Sequence, residues 1–223
     1  LYLGIPFCPS RCSYCSFVSC NLDRDRKLVQ PYVDCLCREV EAIREQADKA
    51  GLKLCSIYIG GGTPSSLTTP QLDRLLAHVE RHFGALAEFT VEAGRPDTLD
   101  AQKLRMLRDH PVTRISINPQ TMNDATLTRI GRAHTAKQTV EAYELARSIG
   151  FDDINMDVIA ALPGEDYAMF AHTLAEIRRL RPESLTVHTL AIKRSSRLHE
   201  EKYAQAEQDV ARMVALGRQT AHD

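Results

Sequence analysis

Three thiols fall within eight residues near the start of the chain, in the run Cys8-Pro9-Ser10-Arg11-Cys12-Ser13-Tyr14-Cys15. The spacing is C-x3-C-x2-C. Thiolates are soft ligands, and three on one compact loop can hold three irons of a cubane iron–sulfur cluster, leaving the fourth iron open. An open coordination position separates a reactive metal site from a structural one. Two other readings of these residues stand beside it: a zinc site completed by Cys20, or three unrelated core cysteines.

Other groups with chemical capacity are spread along the chain. Gly60-Gly61-Gly62-Thr63-Pro64 is a glycine-rich turn, and the missing Lys-Ser or Lys-Thr pair argues against a nucleoside-triphosphate loop. Glu92 stands at the end of an apolar run, either as an acceptor for a ligand or as a solvated charge. Asn155 and Asp157 are two apart in an apolar strand, so they share a face and predict a wet interior or a capped turn. Arg132, read alone, is an ordinary surface arginine. Cys35 and Cys37 project from opposite sides of a predicted helix and Cys55 begins a strand, which reads all three as packing or incidental residues.

Strands and helices must alternate to position these groups. Short β-branched, apolar runs predict six strands, at Leu1–Pro6, Leu54–Ile59, Glu88–Ala93, Thr113–Asn118, Asp153–Ile159 and Ser184–Ile192. Between them, Val33, Leu36, Val40, Ile43 and Ala47 recur at helical spacing after Pro31 and before a stop at Gly51. A second helix is expected with Thr69 as N-cap, burying Leu72, Leu75, Leu76, Val79 and Phe83. Further helices are expected at Asp100–Asp109, Asn123–Ile130, Lys137–Ile149, Asp166–Leu180 and Glu200–Leu216. Strict alternation makes a parallel α/β sheet, and six strands in this length fit a partial (β/α)6 TIM-like barrel better than a closed eight-stranded one. The cysteine loop follows the first strand, where loops of such folds carry their chemistry.

Composition excludes several classes. The chain has 223 residues, 43% apolar and 26% charged, enough for one full core. Its 28 Lys and Arg against 29 Asp and Glu leave no field of one sign to attract nucleic acid or an anionic membrane. Apolar stretches such as Val158 to Pro163 fall far short of the roughly 20 residues of a membrane helix. Seven unevenly spaced cysteines argue for reduced thiols or metal ligands in the cytoplasm rather than a secreted disulfide framework. Leu1 opens a strand-like run without a leader, so residues 1–223 are expected to be one domain trimmed from a longer protein.

The cysteine spacing and the β/α order resemble the radical S-adenosylmethionine (SAM) superfamily, over nearly the whole chain. Within it, Tyr2-Leu3-Gly4-Ile5-Pro6-Phe7-Cys8, Gly60 to Pro64, Ser116-Ile117-Asn118-Pro119-Gln120, and Asn155-Met156-Asp157 through Leu162-Pro163-Gly164 resemble the oxygen-independent coproporphyrinogen III oxidase family. The resemblance implies a partial (β/α)6 barrel, a [4Fe–4S] cluster on Cys8, Cys12 and Cys15, and SAM chelated to the open iron. It implies SAM contacts at Tyr2, Tyr14, Gly61, Gly62, Thr63, Glu92, Gln120, Arg132, Asp157 and Ala191. Two departures are visible: Phe17 stands where the family's main enzymes carry a further cysteine, and Gly4 replaces a histidine. The segments Glu92 to Asp97 and His188 to Lys193 look closer to a divergent coproporphyrinogen dehydrogenase branch.

The implied reaction is oxidative decarboxylation of coproporphyrinogen III to protoporphyrinogen IX, with an electron donor such as flavodoxin or ferredoxin. A methylase of the same family and a haem-binding chaperone are the other readings. A porphyrinogen carries four carboxylates, so cations after strand ends are candidate partners: Arg95 and Lys193 first, then Arg194 and Arg197.

Overall fold

A computed structural model describes residues 1–201, 203 and 207–222. Strand β1 (Tyr2–Ile5) leads into a two-residue strand, β2 (Phe7–Cys8), which pairs in parallel with β3 (Cys20–Asn21). The short helix α1 (Leu22–Asp25) and α2 (Val29–Lys49) follow, then β4 (Ser56–Gly61) and α3 (Thr69–Phe83). The next units are β5 (Glu88–Glu92) with α4 (Ala101–Asp109), and β6 (Arg114–Ser116) with α5 (Asp124–Arg129) and α6 (Ala136–Ile149). The chain closes with β7 (Ile154–Ala160), α7 (Tyr167–Leu180), β8 (Ser184–Thr189), α8 (Arg197–Glu200) and α9 (Glu207–His222).

Six strands form one parallel sheet in the order β1-β4-β5-β6-β7-β8, so among the described residues β1 and β8 each pair on one side only and the barrel is partial. All six expected strands are present. The additional β2–β3 pair was not legible, since two residues give no periodicity to read.

The register assigns every strand residue to a face. Leu3, Ile5, Ile57, Ile59, Phe89, Val91, Ile115, Ile154, Met156 and Val158 point outward and pack with the apolar stripes of α2 and α3 in one core. Burying each such side chain stabilises the fold by roughly 1.5–3 kcal/mol. The opposite face carries Tyr58, Glu92, Ser116, Asn155, Asp157 and Thr186. These are tied to one another: Tyr58 Oη donates to Glu92 Oε1 at 2.6 Å, Asn155 Nδ2 donates to Asp157 Oδ1 at 2.7 Å, and Thr186 Oγ1 donates to Asn155 Oδ1 at 3.1 Å. The wet interior expected from Asn155 and Asp157 is therefore present.

Helix ends correct several expectations. The N-cap of α3 is Thr68, not Thr69, because Gln71 sits at N3 and closes a capping box with Thr68. The α2 stripe ends at Val40, and Ile43 is exposed. The helix expected at Glu200–Leu216 is instead divided into α8 and α9, and residues 202 and 204–206 of that range lie outside the described residues. Asp100 and Asp166 cap α4 and α7 through their carboxylates.

Candidate active site

The cysteine loop emerges at the C-terminal edge of the sheet and is fixed from several directions. Ser13 N donates to Ile130 O at 2.9 Å, and Leu198 N donates to Ser13 O at 3.1 Å. Ser10 Oγ donates to Gly131 O at 2.8 Å, and Arg11 Nη2 reaches Ser195 O at 2.7 Å. Gly131 is required here: its φ is +80°, and a Cβ would stand 3.1 Å from Arg11 O. Cys20 N donates to Pro6 O at 2.7 Å, closing the loop at its base.

Beneath the loop lies the turn after β4. Thr63 Oγ1 is 3.5 Å from Cys8 Sγ, and a Cβ on Gly62 would meet that sulfur at 2.9 Å, so only glycine lets the backbone pass there. Burial raises the pKa of Cys8, against the opposing hydrogen bond from Thr63, and burial likewise raises that of Cys15. Binding a metal at these sulfurs must displace their protons.

One cavity of about 430 Å³ gathers the site. It is lined by the three cysteines and by Tyr14, Gly61, Gly62, Thr63, Glu92, Gln120, Arg132, Asp157 and Ala191. Tyr2 is the exception among the expected contacts: its ring is 60% exposed, stacks on Tyr58 at 6.0 Å, and does not line the cavity.

Several lining atoms lack partners. Asn118 Oδ1, Gln120 Oε1 and Arg132 Nε are buried and have no hydrogen-bond partner among the described residues. Buried polar groups left unpaired cost about 1–3 kcal/mol each, so their convergence on a cavity marks where a polar ligand would complete the bonding. Gln120 also holds φ at +68°, a conformation costing on the order of 1–3 kcal/mol in a non-glycine residue. Its backbone is bonded on both sides, Gln120 N to Asp157 O at 3.0 Å and Ile159 N to Gln120 O at 2.9 Å, which keeps the side chain over the cavity. Burial raises the pKa of Glu92, opposed by the bond from Tyr58 and reinforced by the Asp157 charge.

The donor set fits a cluster better than a single ion. Among the described residues, the trio of His, Cys, Asp or Glu donors lying within 4.8 Å of one another is Glu41, His78 and His82, not the loop cysteines. Tetrahedral zinc thiolates at 2.3 Å would bring sulfurs to about 3.8 Å of each other. Cys8, Cys12 and Cys15 do not form such a trio, and the unpaired donors and acceptors nearby suit the amino-acid end of SAM.

Arg95 requires a correction. It touches the cavity, yet it is only 3% exposed and its guanidinium forms a fork with Asp97 at 3.2 Å to each oxygen. Its Nη1 donates to Ser10 Oγ at 2.8 Å and Ser10 O at 3.3 Å, so it clamps the cysteine loop rather than offering a free cation. Burial opposes the charge of Asp97, but His134 and Arg95 outweigh it and hold the carboxyl well below the usual carboxylate range. Lys193 is exposed on the cavity lining, whereas Arg194 and Arg197 do not line it and Arg197 pairs with Glu201 at 3.6 Å.

Sequence reasoning passed over Ser10, Asn118, Tyr58 and Asp97. Tyr58 had a readable signal, since it shares a strand face with Gly60 and so points at Glu92. Ser10 had none, because its partner is 85 residues away. Of the other cysteines, Cys37 is buried and packs, whereas Cys35 and Cys55 are exposed, and no disulfide joins any of the seven.

Comparison with known proteins adds an independent line. The profile of the Radical SAM superfamily matches residues 2–177. The oxygen-independent coproporphyrinogen-III oxidase-like protein HemZ of Bacillus subtilis is 44% identical over 206 residues, 91% of this chain and 41% of its own length. The heme chaperone HemW of the same organism is 37% identical over 194 residues, 86% of this chain and 50% of its own. Among solved structures, Escherichia coli coproporphyrinogen III oxidase (HemN), a radical SAM enzyme, superposes with a TM-score of 0.86 at 26% identity, covering 98% of this chain and 52% of that one. The chain thus spans half or less of the length of these two curated relatives.

Proposed function

The chain belongs to the radical SAM superfamily, whose cofactors are a [4Fe–4S] cluster and SAM, and from that premise we propose that residues 1–223 form the cofactor-binding core of an oxidoreductase acting on a porphyrinogen. In this reading Cys8, Cys12 and Cys15 hold the cluster. Bound together, cluster and SAM supply one-electron chemistry, a reductive cleavage of the sulfonium followed by removal of a hydrogen atom from substrate.

The chain's own residues bind and orient. Gly61 and Gly62 would let the backbone approach the methionine end of SAM, and the unpartnered Asn118 Oδ1 and Gln120 Oε1 would be free to accept hydrogen bonds from its polar end. Glu92 and Asp157, held by hydrogen bonds from Tyr58 and Asn155 respectively, would accept from the cofactor's hydroxyl or amino groups. Arg132 donates to Asn118 O at 3.0 Å and to Tyr14 at 3.3 Å, keeping the loop and the β6 end in register. Tyr2 stacks on Tyr58 at 6.0 Å and would support the site through that ring. Lys193 meets a substrate carboxylate at the rim.

The observation that carries this reading is the convergence of three separated thiols and unpaired buried acceptors on one cavity. The HemZ and HemN relatives support the substrate class, and the preferred reaction is loss of a propionate carboxyl as CO2 from coproporphyrinogen III, with a hydrogen atom taken up by the SAM-derived fragment and one further electron passed to an external one-electron acceptor to leave a vinyl group. A reductant such as flavodoxin or ferredoxin feeds the cluster, and a reducing cytoplasm suits seven free thiols. No described helix is long and apolar enough to cross a membrane.

A second reading has its own observation. Phe17 is 66% exposed and Val18 91% exposed beside the cysteine loop, an apolar surface that suits the face of a haem, as in a chaperone. The test is anaerobic reconstitution of the full-length protein with SAM and reductant, assaying 5′-deoxyadenosine with and without coproporphyrinogen III. Porphyrinogen-dependent turnover supports the dehydrogenase. Haem retention without turnover selects the chaperone.

A further inference from the structure

Helices α2 and α3 run side by side on the outer flank of the sheet, joined by a ladder of polar pairs. Gln71 Nε2 donates to Gln30 Oε1 at 3.2 Å, and one step along Arg74 Nη2 pairs with Asp34 Oδ1 at 2.9 Å. Each of these rungs matches a donor to an acceptor. The next rung does not: His78 Nε2 faces Glu41 Oε1 at 3.2 Å, and no hydrogen bond joins them.

The ring of His78 explains the mismatch. Its Nε2 is buried and has no hydrogen-bond partner among the described residues. A buried ring nitrogen without a hydrogen-bond partner, facing a carboxylate oxygen at 3.2 Å, is an arrangement that a shared cation would satisfy. His82 completes the set. It lies four residues on, on the same helix face, with ring centroids 4.7 Å apart, and one donor atom from each of Glu41, His78 and His82 lies within 4.8 Å of the others.

We propose that Glu41, His78 and His82 bind one divalent transition-metal ion that ties α2 to α3, at a site separate from the cysteine cavity. Two imidazoles and a carboxylate select zinc, nickel, copper or cobalt over calcium or magnesium. The Glu41–His78 pair agrees: two ligand atoms each about 2.1 Å from zinc and 3.2 Å apart subtend roughly 100° at the metal, close to tetrahedral. None of the three residues lines the cavity of the candidate active site.

The test uses full-length protein reconstituted anaerobically, so that the loop thiols are occupied, then dialysed against zinc. One zinc per chain is expected beyond the cluster iron. Its affinity should fall at least tenfold in His82→Gln and in Glu41→Gln, both surface changes, with iron content unchanged. Saturating zinc should raise the Tm of the unsubstituted protein and leave both variants where they were. Absence of extra zinc, or zinc retained equally by both variants, overturns the proposal.

Discussion

The two faces of one sheet divide the labour of this molecule. Outward residues such as Ile59, Val91, Ile115 and Val158 are fully buried against helices, while inward residues of the same strands, Tyr58, Glu92, Asn155 and Asp157, bond to one another around a cavity. The outward face depends on filled volume, the inward face on where charge and hydrogen bonds sit. Substitutions on the two faces should therefore separate stability from ligand binding.

The largest effect is expected outside. Ile59→Ala removes fully buried methylenes and should cost about 2–5 kcal/mol in denaturant unfolding, with SAM affinity of the surviving folded protein unchanged. Equal losses of stability from inward substitutions would break the comparison.

Asp97→Asn comes next, at roughly 3 kcal/mol, because it leaves the buried Arg95 without its partner. Loss of cluster iron should accompany it, as the Arg95 clamp on Ser10 loosens. A variant as stable as the parent would restore Arg95 as a free cation. The pH dependence sharpens the same point. The folded-state pKa of Asp97 is depressed, so its contribution is complete above the ordinary aspartate value of about 3.9 and is lost as pH falls below it toward the folded value. The stability gap between parent and Asp97→Asn should therefore narrow in acid and stay constant near neutrality.

Asp157→Asn tests the inward face. It keeps a polar group beside Asn155, so stability should change by less than about 1 kcal/mol. SAM affinity, read by equilibrium dialysis on reconstituted protein, should fall about tenfold, equivalent to roughly 1.4 kcal/mol. The smallest change is expected from Cys35→Ser, exposed on α2, within about 0.5 kcal/mol and with iron content intact.

What could be read from the sequence follows the same division. Outward positions announce themselves, since Ile57, Ile59, Val91 and Ile115 alternate with other residues at period two, and the six strands and the partial barrel follow from that. The cysteine triad was readable because its residues are adjacent in the chain. Three features were not. Thr68 and Thr69 are chemically equal caps, and only the reach of Gln71 decides between them. Arg95 reads as a free cation until Ser10 arrives from the first loop. Tyr2 carries a motif residue's identity, but its ring packs on Tyr58 outside the cavity. Each depends on a contact made only when the chain is folded.

The central claim is that Cys8, Cys12 and Cys15 hold a cluster with one iron open to SAM. Its most direct test is iron and sulfide analysis with electron paramagnetic resonance, on anaerobically reconstituted protein and on the single serine variants of Cys8, Cys12, Cys15 and Cys20. A full cubane's iron and sulfide, a reduced-state signal that changes when SAM is added, loss in the first three variants and retention in Cys20→Ser is the predicted result. Protein that takes up no iron, that holds a single zinc with Cys20 as a ligand, or whose signal ignores SAM would contradict it.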